Sequence, residues 1–139
     1  MPATHAILPL MLKRFLEWIG LKEKLHNTES KPPLVKERDL WWVSIGENIG
    51  SEMNGKSRLF SRPAVVLKKL SRGFFLVAPT TSVQHEGSWY VEIVHAGRRT
   101  VVCLHQVRVI DHRRLSTRMG QIDSDDFDKI KEAFWRLYK

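Results

Sequence analysis

The chain has little cysteine and no pattern that would bind a metal ion. One cysteine, Cys103, stands among 139 residues, which excludes an internal disulfide and favours a reducing compartment. Because Cys103 lies in the apolar run 100–104, we expect a buried, inert thiol rather than a nucleophile. The six histidines have no metal-ligand spacing, and Cys-x-x-Cys and His-Glu-x-x-His motifs are absent. We therefore predict neither a metal nor a cofactor.

Long apolar runs are also missing. The longest run near the N-terminus, residues 7–12, is too short to span a membrane. Lys13 and Arg14 follow this run, whereas the charges of a secretory signal precede its apolar segment. We therefore expect a cytoplasmic protein with no membrane partner.

Acidic residues are outnumbered by basic ones. The 23 Lys and Arg against 15 Asp and Glu give a net charge of +8 and a pI near 9.9. This balance favours a polyanionic partner, such as nucleic acid or an acidic protein segment, although it also fits a basic protein with no such partner. The 42% of apolar residues suffice for a hydrophobic core.

A glycine-rich loop leading into a strand is the most informative segment. Residues 46–67 contain glycines at 46, 50 and 55 and then Arg62, directly before an apolar run. A long loop of this kind is more often functional than not, and the strand can aim the guanidinium. The string Gly50-x-x-x-x-Gly55-Lys56-Ser57 matches a nucleotide-binding loop, but a strand follows it where that motif requires a helix.

The pattern along the chain predicts an α+β fold that is mainly β, with a helix at each end. An amphipathic N-terminal helix over about 8–25 and a proline-containing linker form one part, residues 1–33, and the main domain covers 34–139. Strands are predicted over residues 39–45, 64–70, 74–78, 89–94, 100–104 and 107–110, with turns at 71–73 and 96–97. Short strands at this spacing favour a small antiparallel barrel.

Each terminal helix has a distinct apolar stripe. In the N-terminal helix the stripe comprises Leu8, Met11, Leu12, Phe15, Leu16 and Ile19, and we expect this helix to dock on the main domain or on a partner. In the C-terminal helix Asp123 is the predicted N-cap, and the stripe comprises Phe127, Ile130, Phe134 and Leu137.

Two further segments carry candidate binding groups. Thr80 and Thr81 end a strand, where hydroxyls can bind phosphate oxygens or simply form a solvated turn. Gln106 interrupts an apolar stretch, so its amide either reads a base edge or satisfies buried backbone. Arg108 and the arginines at 113 and 114 could contact phosphates or form a solvated basic face.

Taken in order, these segments resemble the MazF/PemK-type toxins of bacterial toxin–antitoxin systems over roughly residues 38–138. The matching strings are Asp-Leu-Trp-Trp-Val at 39–43, Gly-Ser-Glu at 50–52, Arg-Pro at 62–63, Pro-x-Thr at 79–81, Leu-x-Gln-Val-Arg at 104–108, Ile-Asp at 110–111 and Arg-Leu at 114–115. The resemblance implies an SH3-like β-barrel with a C-terminal helix, a homodimer, and metal-independent cleavage of single-stranded RNA. It also implies a cognate antitoxin, which we expect to present an acidic segment to the basic groove.

The resemblance also implies roles for individual residues. Arg62 and Thr81 match the catalytic arginine and threonine, and Glu52 matches the acidic residue of the Gly-Ser-Glu loop. The expected RNA-binding residues are Gly50, Ser51, Lys56, Arg58, Thr80, Gln106 and Arg108. Arginine is a poor general base, so the proton acceptor stays open between Glu52 and a substrate-assisted route.

Two segments depart from the pattern, and two other functions stay open. The stretch from Glu52 to Arg62 is longer than usual because of residues 56–60, and the N-terminal helix lies outside the family core. One alternative is a non-enzymatic toxin that binds a protein such as DNA gyrase, although Arg62 and Thr81 together argue against it. The other is a catalytically weak RNA-binding module.

Overall fold

The computed structural model describes residues 4–139, with side chains from residue 10 onwards. Within these residues the chain forms seven strands with one α-helix before and one after them. In chain order the elements are α1 (Thr4–Asn27), β1 (Asp39–Ser44), β2 (Ser61–Ser71), β3 (Phe74–Thr81), β4 (Tyr90–His95), β5 (Arg98–Cys103), β6 (Arg108–Asp111), β7 (Leu115–Gln121) and α2 (Ser124–Tyr138). A 3-10 turn, Leu104–Gln106, joins β5 to β6, and the long loop 45–60 joins β1 to β2.

The strands form one antiparallel sheet that bends strongly. Their order is β4-β5-β3-β2-β1-β7, and β6 pairs with the first half of β3. The two strands at the ends of this order approach each other, because the His95 ring on β4 makes a 3.1 Å hydrogen bond with the Met119 carbonyl on β7. The predicted α+β fold with a small antiparallel barrel is thereby confirmed.

Strand β2 is buried on both faces and divides the core into two clusters. Ala64 and Val66 point into a cluster with Val43 and Val77, whereas Val65 points the other way into a cluster beneath α2. This alternation follows from the two-residue period of a strand. As a result, β2 is packed from both sides at residues 64–66.

Helix α2 forms as its sequence predicts. The Asp123 carboxylate caps it by accepting a hydrogen bond from the Asp125 backbone N–H at 3.0 Å. Phe127 and Ile130 are buried against Leu40 and Val65, and the remaining stripe residues, Phe134 and Leu137, pack at the edge of the same cluster. The predicted cap and stripe are confirmed.

The six predicted strands are present, but β7 was not predicted. Its sequence, LSTRMGQ, has no apolar alternation because it is an edge strand paired only with β1 and half exposed. The turn between β4 and β5 is as predicted, with Ala96 and Gly97 both at positive φ, +50° and +76°.

Helix α1 docks on the barrel through a face that its apolar stripe did not indicate. Among residues 10–27 of the helix, Trp18 is the buried side chain, and it contacts the loop 45–60. The helix thus docks on the main domain, which is one of the two outcomes expected, but the stripe residues from Met11 to Ile19 remain exposed. Leu8 lies outside the described side chains. The loop 45–60 has one deep contact site, which suits a single large aromatic side chain such as Trp18. The apolar stripe faces away from this loop.

No helix within residues 4–139 combines the length and the apolar character needed to cross a membrane.

Candidate active site

The start of β2 and the end of β3 bring Arg62 and Thr81 together. Ala64 pairs with Pro79 in the antiparallel register, and continuing that register by two residues sets Arg62 opposite Thr81. Both residues line one cleft of about 290 Å³, here called the Arg62 cleft. The strand pairing therefore assembles the two predicted catalytic residues.

The Arg62 guanidinium is partly buried and is oriented by the loop 45–60. Its Nε donates a 2.5 Å hydrogen bond to the Asn54 carbonyl. Burial lowers the pKa of Arg62. Because arginine is not deprotonated in proteins, the group carries its positive charge in a poorly solvated place. A charge held there acts more strongly on a bound anion than it would in bulk water.

Cys103 lies in the same cleft without acting as a nucleophile. It is buried, and burial raises the pKa of the thiol to about 11 despite the opposing effect of the Arg62 charge. At neutral pH the thiol stays protonated, as the sequence predicts for an inert cysteine.

The two threonines at the end of β3 have different surroundings. Thr81 lines the Arg62 cleft, and its Oγ1 accepts a 3.2 Å hydrogen bond from the Val83 N–H. Its hydroxyl hydrogen is left to donate to a bound group. Thr80 is 1% exposed, and its hydroxyl donates to the Pro63 carbonyl at 2.8 Å. Thr80 therefore ties β3 to β2 beside Arg62.

One wall of the Arg62 cleft is aromatic. The rings of His85 and Tyr90 stack at 4.8 Å with an interplanar angle of 12°, and His105 meets Tyr90 edge-on at 5.1 Å. Trp89 stacks on His105 at 4.9 Å. A wall of flat rings beside a cation suits a nucleobase attached to a phosphate. We name the cleft-lining residues His85, Tyr90 and His105 the aromatic wall.

His105 is neutral at neutral pH. Burial, together with the nearby His85, lowers the pKa of its imidazole. Its buried Nδ1 has no hydrogen-bond partner among the described residues, which further disfavours a second proton on the ring.

No sequence motif predicted the aromatic wall. Its residues come from the β3–β4 connection, β4 and the 3-10 turn, and only tertiary structure brings them together. A sequence signal did exist in the cluster His85-x-x-x-Trp89-Tyr90 after the β3 strand, since exposed aromatic residues in a loop of a basic protein are typical of base stacking.

Gln106 connects the 3-10 turn to the loop 45–60. Its Oε1 accepts a hydrogen bond from the Met53 N–H and its Nε2 donates to the Ser51 carbonyl, both at 2.9 Å. Of the two roles considered for this amide, the structure shows the one that satisfies backbone groups. Gln106 and Ser51 nevertheless border the Arg62 cleft, next to the Lys56 side chain.

Glu52 and Arg108 line a neighbouring cleft of about 380 Å³, which shares Met53, His105 and Gln106 with the first. Glu52 Oε1 accepts a 2.9 Å hydrogen bond from the Ile49 N–H, and it does not line the Arg62 cleft. Burial lowers the pKa of Arg108, an effect that the Glu52 carboxylate opposes. Glu52 and the predicted catalytic pair thus occupy adjoining clefts.

The two remaining predicted RNA-binding residues lie on the loop outside both clefts. Gly50 has φ +55° and open space around it, and Arg58 is exposed at the turn before Phe60. The residues described by the structure contain no group of three or more His, Cys, Asp or Glu side chains placed to hold a metal ion.

Comparisons with known proteins agree with this geometry. Residues 36–138 match the model of the PemK-like, MazF-like toxins of type II toxin–antitoxin systems. Endoribonuclease EndoA of Bacillus subtilis (strain 168) is 28% identical over 110 residues, which cover 72% of this chain and 90% of that protein.

Solved structures show the same fold. The crystal structure of MazF (Form-I) from Deinococcus radiodurans superposes with a TM-score of 0.63 at 22% identity, covering 76% of this chain and 96% of that one. An endoribonuclease in complex with its cognate antitoxin from a mycobacterial species superposes with a TM-score of 0.59 at 10% identity, covering 74% and 93%. With a family match over 103 residues, an arginine–threonine pair in one cleft and the shared fold, the chain belongs to the PemK-like, MazF-like toxins of type II toxin–antitoxin systems.

Proposed function

We propose that this toxin is an endoribonuclease that cleaves single-stranded RNA without a metal ion, in the cytoplasm. The observation that carries the proposal is the pairing of Arg62 with Thr81 in a cleft that also has an aromatic wall. The name of the EndoA relative, an endoribonuclease, supports the activity. The net charge of +8 supports a polyanionic substrate.

In this proposal Arg62 and Thr81 bind the phosphate that is cleaved. Attack of the ribose 2′-hydroxyl on the adjacent phosphorus forms a 2′,3′-cyclic phosphate and breaks the bond between phosphorus and the 5′-oxygen of the next nucleotide. The 2′-hydroxyl gives up its proton, the leaving 5′-oxygen takes up a proton from solvent, and negative charge builds on the phosphoryl oxygens in the transition state. A partly desolvated guanidinium and a hydroxyl donor stabilise that charge, and removing one such donor typically costs about 100-fold or more in rate.

We assign the acceptance of the 2′-hydroxyl proton to His105. It lines the Arg62 cleft, and its lowered pKa keeps the imidazole unprotonated at neutral pH. Cys103, which lines the same cleft, suits this role less, because burial raises the pKa of its thiol to about 11. Glu52 lies in the neighbouring cleft, where it can affect the RNA on the far side of Gln106.

The aromatic wall is proposed to hold a nucleobase next to the cleaved phosphate. Stacking accepts any base and needs an unpaired one, which accounts for single-stranded RNA as the substrate. Lys56 and Arg58 on the loop then add contacts to neighbouring phosphates, and Arg108 extends the basic surface into the second cleft.

The proposed partners are a cognate antitoxin and a second copy of the chain. A structure of MazE–MazF (Form-II) from Deinococcus radiodurans, with a TM-score of 0.58 at 20% identity, is among the similar folds. By this similarity, an acidic antitoxin segment would neutralise this toxin, and the basic clefts offer it a complementary surface.

The test is cleavage of a single-stranded RNA by the full chain in EDTA. We expect cleavage by the wild type, and a loss of about 100-fold or more for Arg62→Ala, because the transition-state charge loses its cation. Arg72→Ala is the matched control, since Arg72 is an exposed arginine in the β2–β3 turn, outside both clefts. Equal rates for the Arg62→Ala and Arg72→Ala variants would refute the assignment, and an inactive wild type would refute the activity.

A further inference from the structure

We propose that Arg14 and Trp18 of helix α1 are positioning residues for catalysis, because they hold the loop 45–60 in the conformation that orients Arg62. This inference rests on the proposed function of the Arg62 cleft. It gives a purpose to a helix that lies outside the matched family region, residues 36–138.

Arg14 makes several contacts with the loop. Its guanidinium donates to the carbonyls of Ser57 at 2.8 Å and Gly55 at 3.2 Å, and it forms a 3.2 Å ion pair with Glu47. It also lies 3.7 Å above the Phe60 ring in a cation–π contact. A planar group that contacts four loop residues at once fixes the loop more tightly than a single ion pair would.

Trp18 contacts the two ends of the same loop. Its indole packs on the Phe60 ring, with centroids 5.5 Å apart, and lies directly against the backbone of Gly46. On the other side the Arg114 guanidinium lies 5.6 Å over the indole and donates to the Ser44 carbonyl. Trp18 is thereby held between the barrel and the loop.

The loop conformation itself depends on outside support. Phe60 has φ +49°, a conformation that is rare for a bulky residue and costs on the order of 1–3 kcal/mol. Its carbonyl accepts hydrogen bonds from both Ile45 and Gly46, and its ring is buried under α1. Packing against Arg14 and Trp18 offsets the backbone strain.

Two short paths link this support to the catalytic arginine. Phe60 precedes Arg62 by two residues, so relaxation of its backbone would move the start of β2. Arg62 also donates to the carbonyl of Asn54, the residue before the Gly55 whose carbonyl Arg14 binds. Loss of the helix contacts therefore frees both the backbone near Arg62 and the acceptor of its guanidinium.

The experiment measures kcat and KM on a single-stranded RNA oligonucleotide in EDTA for the full chain and its Arg14→Ala variant. We expect kcat to fall about tenfold with KM changed by no more than about twofold, since a small misplacement of a catalytic group affects the transition state most. Lys13→Ala is the matched control, because it removes the same charge from the neighbouring position, where Lys13 is exposed and forms an ion pair with Glu17 on the helix itself. We expect the control to behave as the wild type.

Two further variants separate positioning from a general structural effect. In an Arg62→Ala background, adding Arg14→Ala should change the residual rate by less than twofold, since Arg14 acts through Arg62. Arg14→Lys keeps the positive charge but loses the planar, forked guanidinium. It should give a kcat between those of the wild type and Arg14→Ala. The inference is refuted if Arg14→Ala matches Lys13→Ala, or if it lowers the rate equally with and without Arg62. An inactive wild type would instead refute the proposed function.

Discussion

Replacement of Gly46 by alanine tests how closely α1 is seated on the barrel. Gly46 has φ +94°, where an L-residue costs about 1–2 kcal/mol, and a Cβ at this position would overlap the Trp18 indole. Overpacking of this kind typically costs a further 1–3 kcal/mol or so. The expected loss in the free energy of unfolding is therefore about 2–5 kcal/mol, measured by urea denaturation.

Gly50→Ala is the control for the backbone part of that cost. Gly50 also has a positive φ, +55°, but a Cβ there meets nothing within 4 Å. We expect Gly50→Ala to cost about 1–2 kcal/mol, and Gly46→Ala to fall to the same cost in a Trp18→Ala background, where the overlap is gone. If the free energy of docking α1 on the barrel is smaller than the cost of the steric overlap, the helix detaches in Gly46→Ala, and kcat falls as it does in Arg14→Ala. Equal costs for the two alanine variants, with kcat unchanged, would contradict the seating of Trp18 on Gly46.

Two further predictions concern pH. Burial opposes ionisation of Asp39, but hydrogen bonds from the Lys36 N–H, Arg118 and Trp41 outweigh this effect and lower the pKa of the carboxyl. The ionised Asp39 carboxylate therefore stabilises the fold above its unfolded-state pKa near 4, and this stabilisation is lost as the pH falls through its folded-state pKa. In urea titrations we expect Asp39→Asn to lower the free energy of unfolding by about 2 kcal/mol at pH 7 and by clearly less at pH 3. An equal loss of unfolding free energy at both pH values would contradict an ionised Asp39 in the folded protein. Since His105 must be unprotonated to accept a proton, kcat/KM should rise with pH through a value below 6.5 and then level off, and His105→Asn should remove this rise along with most of the activity. An unchanged profile in that variant would assign the proton transfer to another group.

The sequence predicted the parts of the fold that depend on local pattern. The β2–β3 hairpin follows from two apolar runs around Ser71-Arg-Gly73, and α2 follows from the Asp123 cap and its apolar stripe. Arg62 and Thr81 were predicted together from the resemblance to a toxin family, and the strand register explains why both lie in one cleft. Local signals therefore sufficed for the hairpin, whereas the predicted catalytic pair depended on the resemblance.

Features that depend on tertiary contacts were missed. The aromatic wall joins residues from three separate segments, and no spacing along the chain indicates that His85 lies beside His105. The docking face of α1 was misjudged, because hydrophobic periodicity selects the helix face with Met11 and Ile19. The face that docks contains Arg14 and Trp18. Arg14 docks through hydrogen bonds to backbone carbonyls, which a hydrophobic pattern does not register.

The hairpin that carries Arg62 and Thr81 has a consequence for how the active site forms. These two residues meet across a short hairpin, whereas the contacts of Arg14 with the loop span 33–43 residues. Closing the shorter segment costs less chain entropy and is expected earlier in folding. The chain would thus first bring its proposed catalytic groups together and only afterwards fix their orientation. A newly made toxin would then pass through a folded but weakly active form before α1 docks on the loop 45–60.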